Sequence, residues 1–264
     1  MGPGFDLKID GRVALVCGSS AGLGRGCARA LALAGVRVVL NGRNPDTLAR
    51  AAAELATETG ASFGEAPGDV TTAEGRAAVL GVCPDPDILV NNSAGPNPGN
   101  GDFRLWDEAA WHEAAQANMI APIMMIRALI DSMQARRWGR IINITSSAVK
   151  APLPLLGLSN GVRSGLTGFV AGLAREVAAD GITINNLLPG RFETDRVRSY
   201  VARMAEHWGV GNDEARERLT VANPMKRFGR PEEFGAMCAF IASDHAAYMT
   251  GQNILLDGGE YPGL

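Results

Sequence analysis

The sequence predicts an α/β fold, a single domain built on a doubly wound parallel sheet. Three observations carry that expectation. Strand and helix signals alternate to the end of the chain. A glycine-rich turn, Gly18-x-x-x-Gly22-x-Gly24, separates the first strand signal from the first helix signal. And 264 residues suit one large α/β domain better than two small ones.

The elements follow in order. Val13 to Val16 is a short apolar strand, and Cys27 to Ala34 has helical periodicity. Val36 to Leu40 reads as a second strand, and Asn44-Pro45 caps a helix running to Thr59. Ala61 to Ala66 offers a third strand, and Thr71-x-x-Glu74 has the form of a capping box for the next helix. Asp87 to Val90 is a fourth strand, followed by a Pro/Gly/Asn-rich loop to Gly101. Trp106 to Ala135 reads as one long helix kinked near Pro122. Arg140 to Thr145 and Ile182 to Leu188 are strands flanking a helix from Gly161 to Ala179. Phe192 to Asn223 is polar and helical, Pro231 to Ser243 a helix, and Asn253 to Leu256 the last strand.

The glycine turn is the first candidate site. Strand, glycine turn and helix aim free backbone N–H groups and a positive helix end at a phosphate. Gly18, Gly22 and Gly24 suit it, because a Cβ there would hold a diphosphate away from the backbone. The spacing differs from the commoner Gly-x-Gly-x-x-Gly. Gly18-Ser19-Ser20-Ala21-Gly22 also satisfies Gly-x-Ser-x-Gly, the strand-to-helix elbow of serine hydrolases. That alternative makes Ser20 a nucleophile and needs a distant base such as His245.

Bulk properties narrow the partners. A formal net charge of −3 and a pI near 5.7 predict neither nucleic acid nor an anionic membrane as a partner. No apolar run approaches the roughly 20 residues that span a bilayer. The start, Met1-Gly-Pro-Gly-Phe-Asp6, has neither a basic nor an apolar region of a signal peptide, which predicts a cytoplasmic protein. Cys17, Cys27, Cys83 and Cys238 show no metal-ligand spacing and read as buried reduced thiols, with no metal site.

The second strand points to a particular nucleotide. An NAD site places an acidic residue at this strand's tip, and an NADP site a cation. Here the strand ends Leu40-Asn41-Gly42-Arg43, with no carboxylate and with a guanidinium suited to a phosphate. NADP(H) is therefore expected over NAD(H). Asp69-Val70, after the third strand, is placed to meet an adenine amino group.

Taken together, these pieces resemble the short-chain dehydrogenase/reductases, nearly end to end, and are similar to the 3-oxoacyl-carrier-protein reductase branch. The matching segments are Cys17-Gly-Ser-Ser-Ala-Gly-Leu-Gly24, Gly68-Asp69-Val70, Leu89-Val-Asn-Asn-Ser-Ala-Gly95, Asn118, and Ile141-Ile-Asn-Ile-Thr-Ser146. They continue through Pro189-Gly190 with Thr194, Gly229-Arg-Pro-Glu-Glu233, Thr250-Gly251 and Asp257-Gly-Gly259. The resemblance implies a Rossmann-type fold, NAD(P)(H), a homotetramer or homodimer, and hydride transfer between nicotinamide and a small-molecule carbonyl or alcohol. It also implies that Gly18, Ser20, Gly22, Leu23, Gly24, Asn41, Arg43, Asp69, Val70, Asn91, Ala94, Gly95, Arg163, Pro189, Gly190 and Thr194 hold the nucleotide.

In that family a Ser bonds the substrate oxygen, a Tyr transfers the proton, a Lys four residues later supports the Tyr, and an Asn supports the Lys. Ser146 and Asn118 fit the Ser and the Asn. The alignment puts Ser159 in the Tyr place and Arg163 in the Lys place, so the catalytic set is Ser146, Ser159, Arg163 and Asn118. An aliphatic hydroxyl is a far weaker acid than a phenol. Lys150, Tyr200, His207, Tyr248 and Tyr261 are therefore candidate substitutes; Ser147-x-x-Lys150 also spells a Ser–Lys pattern, but Pro152 and Pro154 disfavour the helix that pairing needs.

Residues 191–228 read as a substrate lid offering Tyr200, Met204, Trp208, Met225 and Phe228 to a medium-sized or acyl-type substrate. Gly161, Gly165, Gly168 and Gly172 form a small-residue helix face for close approach by another helix. The main alternative from another class is a catalytically silent nucleotide-binding or regulatory protein.

Overall fold

The computed structural model describes residues 6–93, 102–153 and 156–263. Its strands are β1 (Val13–Val16), β2 (Arg37–Gly42), β3 (Phe63–Pro67), β4 (Ile88–Asn91), β5 (Gly139–Ile144), β6 (Ile182–Pro189) and β7 (Asn253–Leu256). They form one parallel sheet in the order β3-β2-β1-β4-β5-β6-β7. Val16 pairs with Leu40 on one side and with Val90 on the other. The strand order therefore reverses at β1, where a doubly wound sheet opens a crevice at its carboxyl edge.

The α-helices are α1 (Gly22–Leu33), α2 (Pro45–Thr59), α3 (Ala73–Val82), α4 (Glu108–Ala115), α5 (Ala121–Arg136), α6 (Gly157–Val177), α7 (Asp195–Trp208), α8 (Asn212–Ala222) and α9 (Pro231–Ala242). The strands alternate their side chains between two cores, as a pleated sheet buried on both faces requires. Ala14, Val16, Ile88, Val90 and Ile142 meet Cys27 and Leu31 of α1, Leu48 of α2 and Phe234 of α9. Leu15, Leu89 and Ile141 meet Val79 of α3, Met125 and Leu129 of α5, and Leu166 and Val170 of α6. Helices α1 and α9 approach so closely that a Cβ on Gly26 would lie 2.4 Å from the Pro231 carbonyl oxygen.

Several elements differ locally from the sequence reading. Helix α1 begins five residues earlier than its apolar period, because the glycine turn itself enters the helix at Gly22. The cap of α3 is Thr72, which accepts from the Gly75 N–H, and Thr71 instead donates its hydroxyl to Asp69. The long helix expected over 106–135 is divided. Helices α4 and α5 are joined by a π-helical turn, Gln116–Ile120, and Pro122 lies just past it, in the first turn of α5. All four cysteines are buried and form no disulfide. Burial raises the Cys17 thiol to about 12, with Cys83 adding to the shift. Among the described residues no helix is long and apolar enough to cross a membrane.

Candidate active site

The turn after β1 is tied down from three sides. Gly18 has φ +56°, a conformation glycine adopts without strain. The Asn92 amide donates to the Gly18 carbonyl at 2.9 Å, and a Cβ on Gly18 would sit 2.7 Å from the Asn92 carbonyl oxygen. A Cβ on Gly24 would lie 2.3 Å from the Gly18 carbonyl oxygen. Ser19 is buried, donates its hydroxyl to the Val16 carbonyl at 2.8 Å and accepts from the Asn41 N–H at 3.0 Å. The buried Asn41 amide donates to the carbonyls of Ala66 and Gly68. Asn41 thus braces the turn against β3 with its side chain already committed.

What the turn presents is backbone. Helix α1 starts at Gly22 with no side-chain cap and no acidic residue in its first turn, whereas α2, α3, α4 and α7 are capped by Asn44, Thr72, Asp107 and Thr194. Its first N–H groups therefore lack a side-chain cap, the condition under which a helix end accepts an anion. Ser20 and Leu23 flank the turn, and Leu23 packs against the core below. Thr194 stands over Gly22, with its methyl group 3.5 Å from where a Cβ would be. Pro189 ends β6, and the Gly190 N–H binds the Leu256 carbonyl at 2.8 Å, which holds the segment leading to Thr194. A crowded glycine cradle beneath an uncapped helix end fits the diphosphate of a dinucleotide.

Along the same edge, Arg43 is exposed just past β2. Its charge helps hold the Asp69 carboxyl below its usual range. Burial pushes that carboxyl up, and the Thr71 hydroxyl and N–H outweigh it. The Val70 carbonyl accepts from Arg76 at 2.9 Å. Ala94 and Gly95 lie outside the described residues.

Asn91 ends β4 and begins a ladder that the sequence reading did not find. Its amide donates to Asn143 at 2.9 Å, Asn143 to Asn186 at 3.1 Å, and Asn186 to Asn253 at 2.8 Å. Strand register places these four side by side across β4, β5, β6 and β7. Each partner satisfies the next, so buried amides stitch the sheet directly behind the crevice.

The side-chain chemistry gathers where β5 ends. Ser146 follows Thr145 and accepts the Ala148 N–H on its hydroxyl oxygen at 3.1 Å. Arg163, from the second turn of α6, is 7% exposed and donates to the carbonyls of Ile144 and Thr145 at 2.8 and 2.9 Å. Its Nε donates to the Ser159 hydroxyl oxygen at 3.1 Å. No carboxylate among the described residues pairs with it. Burial, with the charge of Arg196 adding to it, lowers the Arg163 guanidinium to about 9. Both serine oxygens thus accept from fixed N–H groups, which leaves each O–H to donate outward.

Asn118 sits in the π-helical turn beside α6. Its amide N–H donates to the Ala114 carbonyl at 3.1 Å, and its buried carbonyl oxygen has no partner among the described residues. Ser93 bonds the neighbouring Ala117 carbonyl at 2.8 Å, which ties the end of β4 to this turn.

The other candidates separate clearly. Tyr248 is fully exposed near the amino end of β7, so it is removed from this centre. Lys150 is exposed, with its ammonium 5.7 Å from the Tyr261 ring centroid. Tyr200, Met204, His207 and Trp208 line a cavity of about 570 Å³. Phe228 instead turns into a small core shared with Val201, Ala215 and Leu219, and Met225 points to solvent. Of the glycine face on α6, Gly161 and Gly165 are covered by Trp111 and Met119, and only Gly168 and Gly172 meet open space. The hydrolase alternative lacks its base. His245 contacts the Asp6 carbonyl beside Asp244, which pairs with Arg140 at the start of β5, the opposite end of the sheet from Ser20.

A seven-stranded doubly wound sheet, a glycine cradle after β1 and a serine after β5 define the short-chain dehydrogenase/reductase class of oxidoreductases. A family model described as enoyl-(acyl carrier protein) reductase matches residues 18–260, and the chain belongs to this short-chain dehydrogenase/reductase family. It is 33% identical over 261 residues to the 3-oxoacyl-[acyl-carrier-protein] reductase FabG of Vibrio cholerae, covering 97% of this chain and 99% of that one. The crystal structure of L-sorbose reductase from Gluconobacter frateurii, complexed with NADPH and L-sorbose, is similar with a TM-score of 0.91 and 30% identity, covering 98% of this chain and 100% of that one. A 3-oxoacyl (acyl-carrier-protein) reductase from Agrobacterium tumefaciens with NADP bound matches with a TM-score of 0.84 and 30% identity, covering 96% and 95% of the two chains.

Proposed function

We propose that this oxidoreductase uses NADP(H) to interconvert a small-molecule ketone and alcohol, with Ser146, Ser159 and Arg163 at the reacting centre and Asn118 behind them. The observation that carries the reading is the bond from Arg163 Nε to the Ser159 oxygen, made by a guanidinium that also holds the carbonyl of Thr145, the residue before Ser146, at the carboxyl end of β5. When bound, the nicotinamide supplies or accepts the hydride. Ser146 and Ser159 each have an O–H left to donate, so the pair suits a carbonyl oxygen in the ground state and the oxyanion that develops on it.

Ser159 is a weak acid, and the alkoxide formed by reducing a ketone is a correspondingly strong base. Proton transfer between two aliphatic oxygens is close to balanced, and a buried guanidinium on Ser159 tips it towards the serine giving up its proton. Arg163 then holds the negative charge on the Ser159 oxygen until water returns the proton. Thr194, Pro189, Gly190 and the turn at Gly18, Ser20, Gly22, Leu23 and Gly24 would hold the nucleotide, with Arg43 on its ribose phosphate and Asp69-Val70 near its adenine. NADP-bound relatives and the cation after β2 support NADP(H) over NAD(H). Asn41 and Asn91 support the site from below, since their side chains are already bonded to protein.

Residues 191–228 act as the lid over the substrate. The open Gly168 and Gly172 face and the exposed Phe169 support assembly into a homodimer or homotetramer. Unpaired thiols suit a cytoplasmic setting.

The test is consumption of NADPH with a panel of ketones and 3-oxoacyl thioesters. Oxidation of NADPH that depends on a ketone supports the reading. If the nucleotide binds and no carbonyl is consumed, and Ser159→Tyr with Arg163→Lys then creates activity, the protein is a silent relative.

A further inference from the structure

The cavity under α7 and α8 contains an arrangement that hydride transfer alone does not use. Leu153, Met204, Trp208 and Leu219 give it apolar walls, and its volume of about 570 Å³ suits a small ligand. Three cationic or basic side chains border it, Arg191, His207 and Arg218. Arg218 is half-exposed and paired with Glu214 on its own helix. Arg191 differs. It lies just past β6, its side chain is only 15% exposed, and its guanidinium carbon stands 5.6 Å from the Tyr200 ring centroid.

The carboxylate on Arg191 is Glu260, 69 positions further along the chain. The tail reaches it through Gly258 and Gly259, with φ +71° and +81°. That turn is fixed by Asp257, whose carboxylate accepts the Gly259 N–H at 2.9 Å and the Tyr261 N–H at 2.7 Å. Glu260 takes no part in those bonds. Its side chain can leave Arg191 without undoing the turn.

An arginine largely withdrawn from water, at the rim of an apolar cavity and paired with a carboxylate from a separate segment, has the elements an exchangeable anion site needs. Replacing Glu260 with a ligand carboxylate trades one ion pair for another, so the burial of the guanidinium costs nothing further. A neutral ligand offers no such trade. We propose that Arg191 is the specificity-determining residue of the substrate site, taking the carboxylate of an oxo-acid or hydroxy-acid whose apolar chain fills this cavity, in exchange for Glu260. The proposal rests on the carbonyl–alcohol reading for the term "substrate", but its test does not require turnover.

The test is calorimetric titration of 3-hydroxyhexanoate and its methyl ester into the NADP-loaded protein and its Arg191→Gln, Arg191→Lys and Glu260→Gln variants. Charge-assisted hydrogen bonds of this kind are worth about 1.5–3 kcal/mol, or roughly 10- to 100-fold in affinity. The acid is expected to bind wild type, to bind about 10-fold tighter to Glu260→Gln, and to lose about 10- to 100-fold in Arg191→Gln. Arg191→Lys should fall between them, and the ester should respond to none of the three. An ester that binds as tightly as the acid overturns the proposal, as does acid affinity unchanged in both Arg191→Gln and Glu260→Gln. Acid binding without reduction of any carbonyl would refute the hydride-transfer reading and leave the anion site standing.

Discussion

The glycine turn after β1 and the pocket around Arg163 lie on the same edge of one sheet, yet they are made of different materials. The turn is backbone. Gly18 and Gly24 are there because neighbouring main-chain atoms leave no room for a Cβ, and what the turn presents is the start of a helix with no side-chain cap. The pocket is side chain. Its geometry depends on a buried guanidinium spanning two carbonyls and one serine, with no carboxylate among the described residues to neutralise it. A backbone site tolerates almost any sequence that keeps its glycines, whereas a side-chain site changes chemistry with one substitution. Ser159 and Arg163, the pair proposed for the reacting centre, belong to the second kind.

The sharpest way to separate the two regions is to damage each alone. Arg163→Met should lower kcat by about 10²- to 10⁴-fold, the usual worth of acid–base assistance, while NADPH affinity by fluorescence titration stays within about 10-fold. Gly24→Val should do the reverse. Its side chain meets the Gly18 carbonyl, and loss of several N–H contacts to a diphosphate should weaken NADPH binding by about 100-fold or more. If the two variants show the same profile, the division between turn and pocket fails.

The pocket also predicts a pH limb. Burial lowers the Arg163 guanidinium to about 9, so its charge is present below that pH and lost as pH rises through it. Activity should therefore hold through neutrality and decline as pH passes about 9. The charge-keeping pair Ser159→Tyr with Arg163→Lys should move that limb, and a limb that stays in place would remove Arg163 from the chemistry.

Smaller effects sharpen the boundary. Asn143→Leu interrupts the amide ladder and strands Asn91 and Asn186, at an expected cost of about 1–3 kcal/mol in chemical denaturation. Turnover per folded molecule should fall far less than in Arg163→Met. Arg43→Ser should reduce the preference for NADPH over NADH by about 10-fold and leave kcat alone.

Local sequence pattern revealed most of the sheet, because period-2 and period-3.6 apolar spacing records burial directly. Asn253–Leu256 and the Asn44-capped helix were legible to the residue. The glycine turn was equally plain, since each of its residues has a local reason. What the sequence hid was anything that depends on strand order. The four asparagines of the ladder lie on four strands, and Arg191 and Glu260 meet only through the fold. Ser19 and Asn92 stood inside recognised motifs, but their bonding partners lie across the turn. The break between α4 and α5 escaped for another reason. Both halves are good helix, and only the packing of the intervening turn on α6, with Met119 against Gly165, Leu158 and Val162, goes with the wider turn. The apolar side chains of 191–228 were legible as a group, but helical spacing alone did not show that Phe228 faces inward and Met225 outward.

In the proposed reaction, hydride reaches a carbonyl carbon held by Ser146 and Ser159. Incubating the protein with a ketone and NADPH deuterated at the transferable position, then locating the label by mass spectrometry, tests it most directly. Deuterium on the carbinol carbon of the product, strongly reduced in Arg163→Met, is the predicted result. Tight NADPH binding with unlabelled ketone recovered intact, across acids, esters and thioesters, would contradict it.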